Sequence, residues 1–108
     1  MKRRGLSDSE KHRLSELKSQ DPFTGVVVPL GGGGFCKVRV IGRGEIAFYQ
    51  EGDRALFVEA IVSSGAIVSR SIRFWDTDEA VTKSERAAIA ERVAKGLSLL
   101  GVLRVKLL

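Results

Sequence analysis

The chain has 108 residues, 44% of them hydrophobic and 29% charged, with a formal net charge of +5. That is one domain with enough apolar content for a core, which excludes wholesale disorder, since disorder needs low hydrophobicity together with high charge. The single cysteine, Cys36, excludes an internal disulfide, so a reducing cytoplasm is the expected location.

Met1-Lys2-Arg3-Arg4 has the charge of a signal-peptide start, but the polar run to Glu10 replaces the apolar segment such a peptide needs. Residues 1–20 hold six Lys/Arg against three Asp/Glu and read as a basic tail and a short helix. Ser7 and Glu10 have the spacing of a capping box, in which hydroxyl and carboxylate each take an open backbone N–H. Only Leu14 and Leu17 form an apolar pair there, so the helix is expected to be peripheral. Residues 21–35 read as a linker: Pro22 and Pro29 flank three valines that could form a short edge strand, and Gly31–Gly34 are costly to order. Residues 1–34 are on this reading dispensable for the fold.

Residues 36–108 read as an α+β domain. Lys37 to Ile41 alternates polar and apolar, Gly42-Arg43-Gly44 breaks it, and Glu45 to Gln50 resumes as a second strand. Glu51 to Arg54 has turn chemistry, Ala55 to Val62 makes a more buried third strand, and Ala66 to Trp75 is expected as a fourth. Glu59 interrupts the third, which is far shorter than the ~20 apolar residues that span a bilayer. Strands joined by such short turns pair antiparallel, as a meander. Thr82 and Glu85 repeat the capping-box spacing. Ile89, Val93, Leu97 and Leu100 then follow at helical period, and Gly101 stands where a left-handed cap is expected. The resulting fold is an antiparallel meander of four to five strands, with helix 83–100 packed on it and Val102 to Leu108 returning as a last strand.

The chemistry-bearing residues are sparse. His12 and Cys36 would have to converge with a third, orienting group to act as a nucleophile pair. Structural zinc sites draw on four Cys or His ligands, and the chain has two such residues. Gly31–Gly34 followed by Phe35-Cys36-Lys37 lacks the Gly-Lys-Ser/Thr ending of a phosphate loop. Gly42-x-Gly44-x-x-Ala47 opens a strand where a dinucleotide fingerprint must open a helix, so it reads as a hairpin. Asp76, Asp78 and Glu79 read as acidic residues favoring the positive end of the following helix. No catalytic residue, cofactor or metal is expected.

Arg70-Ser71-Ile72-Arg73-Phe74-Trp75-Asp76 interleaves arginines with large aromatics, the residue types that dominate binding energy at protein interfaces. It also reads as a core strand with Phe74 and Trp75 packed beneath the helix. At this segment the chain resembles small bacterial immunity proteins encoded beside polymorphic toxins, the family numbered seventy-four. The resemblance covers about residues 44–107. It rests on the hairpin Glu45 to Arg54, Ser71-Ile72-Arg73-Phe74-Trp75-Asp76, a capped helix with Glu85-Arg86-x-x-Ile89, and a final strand led by Gly101. It implies a cytoplasmic protein that binds and neutralizes a toxin domain without catalysis. The expected partner is therefore a protein, contacted through Tyr49, Arg70, Arg73, Trp75 and Asp76 on the sheet or its rim. The alternative is a basic nucleic-acid-binding protein using the N-terminal arm with Arg39, Arg43, Arg70 and Arg73. No membrane partner is expected.

Overall fold

A computed structural model describes residues 5–20 and 23–108. Helix α1 (Asp8–Lys18) leads into strands β1 (Val26–Pro29), β2 (Phe35–Ile41), β3 (Ile46–Glu51), β4 (Arg54–Ile61) and β5 (Ala66–Ile67). Helix α2 (Lys83–Leu99) and strand β6 (Lys106–Leu107) complete the chain. The fold is α+β, as the pattern of strands and helices indicates. Its six strands form one sheet in the order β1-β2-β3-β4-β5-β6. Every pairing is antiparallel except β5 with β6, which is parallel because α2 carries the chain back across the sheet.

The alternation of strand side chains divides the core into two unequal halves. On one face Val38, Tyr49, Leu56 and Val58 meet Ile89, Val93 and Leu97 of α2, within the larger buried cluster. Each such side chain contributes roughly 1.5–3 kcal/mol when fully buried. The helix comes close because Gly96 lies against Val38, where an added Cβ would stand 2.8 Å from the valine Cβ. The period and capping box of α2 are realized: Thr82 Oγ1 accepts from the Glu85 N–H while Glu85 accepts from the Thr82 N–H. On the opposite face α1 buries only Leu14 and Leu17, against Phe48 and Ala55. Its own capping box, Ser7 with Glu10, is also present.

Two expectations change. Within the expected linker the three valines take their edge-strand reading: β1 pairs with β2 from Val26↔Val38 to Pro29↔Phe35, and Val28 is buried in the larger cluster. The glycine run is the turn between these strands, with Gly32 and Gly33 at φ 96° and 99°, and the Leu30 N–H closes it on the Gly34 carbonyl at 2.8 Å. Removing residues 1–34 would therefore strip a strand and two buried leucines from the domain. Part of that stretch, residues 1–4 with the basic tail and residues 21–22, lies outside the described residues.

The expected strand Ala66 to Trp75 is also much shorter, ending at Ile67. Beyond it the Ser71 hydroxyl competes for the ladder: Ser71 Oγ accepts from the Glu59 N–H at 2.9 Å and donates to the Val68 carbonyl at 2.6 Å. A single 3-10 turn, Ser69–Ser71, results, and Phe74 regains only an isolated bridge to Ala80.

Candidate interaction surface

The segment from Ser69 to Asp76 is held from beneath at three points. Ile72 and Trp75 are buried in the α2-side cluster, and the Ile72 carbonyl accepts from Arg86 Nε of α2 at 3.0 Å. Asp76 is fixed to the start of β4 by a reciprocal pair: its N–H donates to the Ala55 carbonyl at 3.0 Å, and its Oδ1 accepts from the Ala55 N–H at 3.1 Å. Lys18 at the end of α1 closes on Asp76 Oδ2 at 2.6 Å and also donates to the Asp53 carbonyl at 2.9 Å. Further on, the Val81 N–H donates to the Arg73 carbonyl at 2.9 Å.

With its backbone so anchored, the segment presents Arg70 and Arg73 to solvent. Neither guanidinium has an ion-pair or hydrogen-bond partner among the described residues. Beside Arg73 a cleft of about 240 Å³ is lined by Leu6, Glu10, Phe57, Ser71 and Phe74. The cleft exists because α1 covers only part of its sheet face.

The five residues expected to contact a partner divide accordingly. Arg70 and Arg73 are at the surface. Tyr49 and Trp75, expected on the sheet or its rim, are instead inside, 0% and 1% exposed, with ring centroids 6.2 Å apart. Their positions point toward α2, which covers them. Asp76 is the half-buried latch just described and holds the segment in place.

Tyr49 belongs to a polar network that joins distant parts of the sequence. Its hydroxyl donates to Glu51 Oε1 at 2.7 Å, and Arg92 Nη1 donates both to Glu51 Oε1 at 2.7 Å and to the Tyr49 oxygen at 3.2 Å. Burial pushes the Tyr49 phenol well above its ordinary range, and it also raises the Cys36 thiol packed beside it. Both groups are therefore held neutral, and neither is an activated nucleophile. Arg54 lies over the Trp75 ring, 4.1 Å from its centroid, and reaches Glu85 at 3.4 Å. Glu51, Arg54 and Arg92 carried no local motif in the sequence, and only the α2-on-sheet register brings them together.

No family model, curated protein or solved structure matches this chain.

The remaining candidate residues are placed as follows. His12 is exposed on α1, 3.5 Å from Glu16, whereas Cys36 is buried on the α2 side of the sheet, so the two do not converge. Asp78 pairs with Lys11 of α1, and Glu79 accepts from the Thr77 hydroxyl at 3.0 Å. With Asp76 on Lys18, the acidic group ties down α1 and its own loop, whereas the start of α2 is served by Thr82 and Glu85. Gly42 and Gly44 turn the β2–β3 hairpin. Among the described residues no helix is long and apolar enough to cross a membrane.

Proposed function

We propose that this protein is a non-catalytic protein-binding module of the immunity type, in which Arg70 and Arg73 are the principal contacts and the partner is a toxin domain. One observation carries the reading: two unpaired, exposed arginines stand on a segment that Ile72 and Trp75 anchor in the core. An anchored backbone loses little freedom on binding, so the ordering cost is confined to the arginine side chains themselves, and arginine is among the residues that concentrate interface energy. The cleft beside Arg73, with Phe57 and Phe74 and also Glu10 and Ser71 in its walls, would receive a side chain of mixed polar and apolar character.

The nucleic-acid alternative needs basic side chains on a continuous track. Arg39 is bonded to Gln20, and Glu10, Glu45 and Glu59 line the groove between β2 and the Arg70–Arg73 segment. An acidic interruption of that kind repels a phosphate backbone, which favors the protein partner.

The test is a pull-down from nuclease-treated lysate of the source cells, followed by titration of the captured protein. Arg73→Ala is expected to weaken that binding by about 1–3 kcal/mol, the range of moderate to strong hot spots. Its thermal midpoint is expected to stay at the wild-type value, since the side chain is exposed and unpaired. Loss of every association on nuclease treatment would replace this reading with the nucleic-acid one. Co-expression with a toxin encoded by a neighboring gene tests the immunity role itself, and growth arrest despite co-expression would contradict it.

A further inference from the structure

The sheet ends at one side of the molecule in two adjoining surfaces of opposite charge. On the α1 face Ile41, Ile46, Phe57 and Ile61 floor a groove of about 950 Å³ that α1 leaves open. Its carboxylates are Glu10, Glu45 and Glu59, against one arginine, Arg13. Glu10 is engaged in the α1 cap, but the Glu45 and Glu59 side chains have no hydrogen-bond or ion-pair partner among the described residues.

Around the turn that follows β4 the character inverts. Leu99, Leu100, Leu103, Leu107 and Leu108 are all exposed, Leu103 to 95%. Residues 92–108 contain four Lys or Arg and no Asp or Glu. Arg104 and Lys106 stand among the leucines, again without ion-pair partners among the described residues. Leu107 pairs with Ile67, whose side chain lies on the α2 face, so the leucine strip continues from the end of α2 onto the sheet edge.

The turn 62–65 joins the two surfaces rigidly. The Val62 N–H donates to the Gly44 carbonyl at 2.8 Å, tying the turn to the hairpin beside the groove. On its other side the Lys106 N–H donates to the Gly65 carbonyl at 2.8 Å, and an added Cβ on Gly65 would stand 1.8 Å from the Arg104 carbonyl oxygen. An acidic apolar groove and a basic apolar strip are therefore fixed side by side on one body. Each copy can then offer its strip to the groove of the other, the reciprocal pairing of an isologous contact.

We propose that a second copy of this chain docks here, with the Leu103–Lys106 strip of each copy seated in the Ile46–Glu59 groove of its partner. Charge complementarity selects this occupant. A strip-to-strip contact would face Arg104 and Lys106 with themselves, and a groove-to-groove contact would face Glu45 and Glu59 with themselves. Apolar surface of this extent beside uncompensated charge is the usual mark of an interaction site. The groove and the cleft beside Arg73 share Glu10, Phe57 and Ser71, but the dimer contact does not use the Arg73 side chain, so Arg73→Ala distinguishes it from the proposed partner binding.

The test is sedimentation equilibrium of the full chain at low salt over a wide concentration range. Wild type is expected to dimerize reversibly, and the double variants Arg104→Glu/Lys106→Glu and Glu45→Lys/Glu59→Lys are each expected to dimerize at least ~10-fold more weakly, because reversal makes both contacts repulsive. Mixing the two double variants is expected to restore the dimer, since each strip then meets a groove of opposite charge. Leu103→Ser, which touches no core residue, is expected to weaken the wild-type dimer as well, and Arg73→Ala is expected to leave it unchanged. A wild type that stays monomeric, a mixture that fails to recover, or a Leu103→Ser variant that dimerizes normally would each overturn the proposal.

Discussion

The two faces of the sheet are built from the same strands, yet they carry very different amounts of packing. On the α2 face a helix of 17 residues lays Ile89, Ala90, Val93, Gly96 and Leu97 against a core drawn from β1 to β5. On the α1 face an 11-residue helix contributes two leucines, and polar tethers do much of the remaining work: Lys18 to Asp76 and Lys11 to Asp78. The half-exposed Lys11–Asp78 pair stabilizes little, typically below about 1 kcal/mol, whereas the Asp76 side chain that Lys18 meets is largely buried. One face thus sets the fold, and the other leaves room for grooves and clefts. The packing that secures the fold is concentrated on one side of a single sheet.

The largest test of that division is Val93→Asp. A carboxylate at a 0%-exposed position facing Val38 and Tyr49 has no partner, and an unpaired buried charge costs several kcal/mol. The variant is expected to be unfolded by circular dichroism at room temperature. A cooperative melt near the wild-type midpoint would show that α2 is not the main core element. Leu14→Ala asks the same question of the other face. It removes one of only two buried leucines of α1, with an expected loss of about 2–3 kcal/mol, at the low end for such truncations because the shallow site can collapse. The melt should stay cooperative, with α1 more readily cut by trypsin.

Much of the α2 side was legible in sequence, because its signals are local. Thr82 and Glu85 declare a cap three residues apart, and Ile89, Val93 and Leu97 repeat at helical period. The hairpins β2–β3 and β3–β4 likewise follow from alternation broken at glycine-containing turns. The α1 side was harder to read. Two leucines cannot reveal which sheet face they cover, and Val26–Pro29 is too short to declare itself a strand rather than a linker. The candidate site was half legible: Arg70 and Arg73 stood out by type and are exposed. Tyr49 and Trp75 stood out for the same reason but are core. Trp75 is placed by the course of segment 69–76, set by the Ser71 hydroxyl and the Asp76 latch, neither of which leaves a periodic trace. Tyr49, by contrast, is buried because β3 pairs it with Val38 and Leu56 on the α2 face. The Arg92–Glu51–Tyr49 network links residues 41 and 43 positions apart, beyond any local pattern.

The smallest expected effect is a pH dependence at the start of α2. Backbone hydrogen bonding from Thr82, aided by the nearby Arg54, lowers the Glu85 carboxyl below its ordinary value of 4.5. A depressed folded-state value means that the unfolded chain takes up the proton first, so the contribution is present above pH 4.5 and is lost as pH falls below it. Glu85→Gln is expected to remove this part of the acid sensitivity, seen as a flatter dependence of the thermal midpoint on pH. An unchanged dependence would show that the cap does not hold the charged carboxylate in solution.

Residue-by-residue amide hydrogen exchange compares the two faces most directly. Amides of β2, β3, β4 and α2 are expected to exchange only through global unfolding, with the protection of the whole domain. Those of α1 are expected to exchange faster, through local opening that leaves the sheet and α2 intact, as sparsely packed elements do. Protection in α1 equal to that in α2 would contradict the division, showing that the sheet is secured equally from both sides.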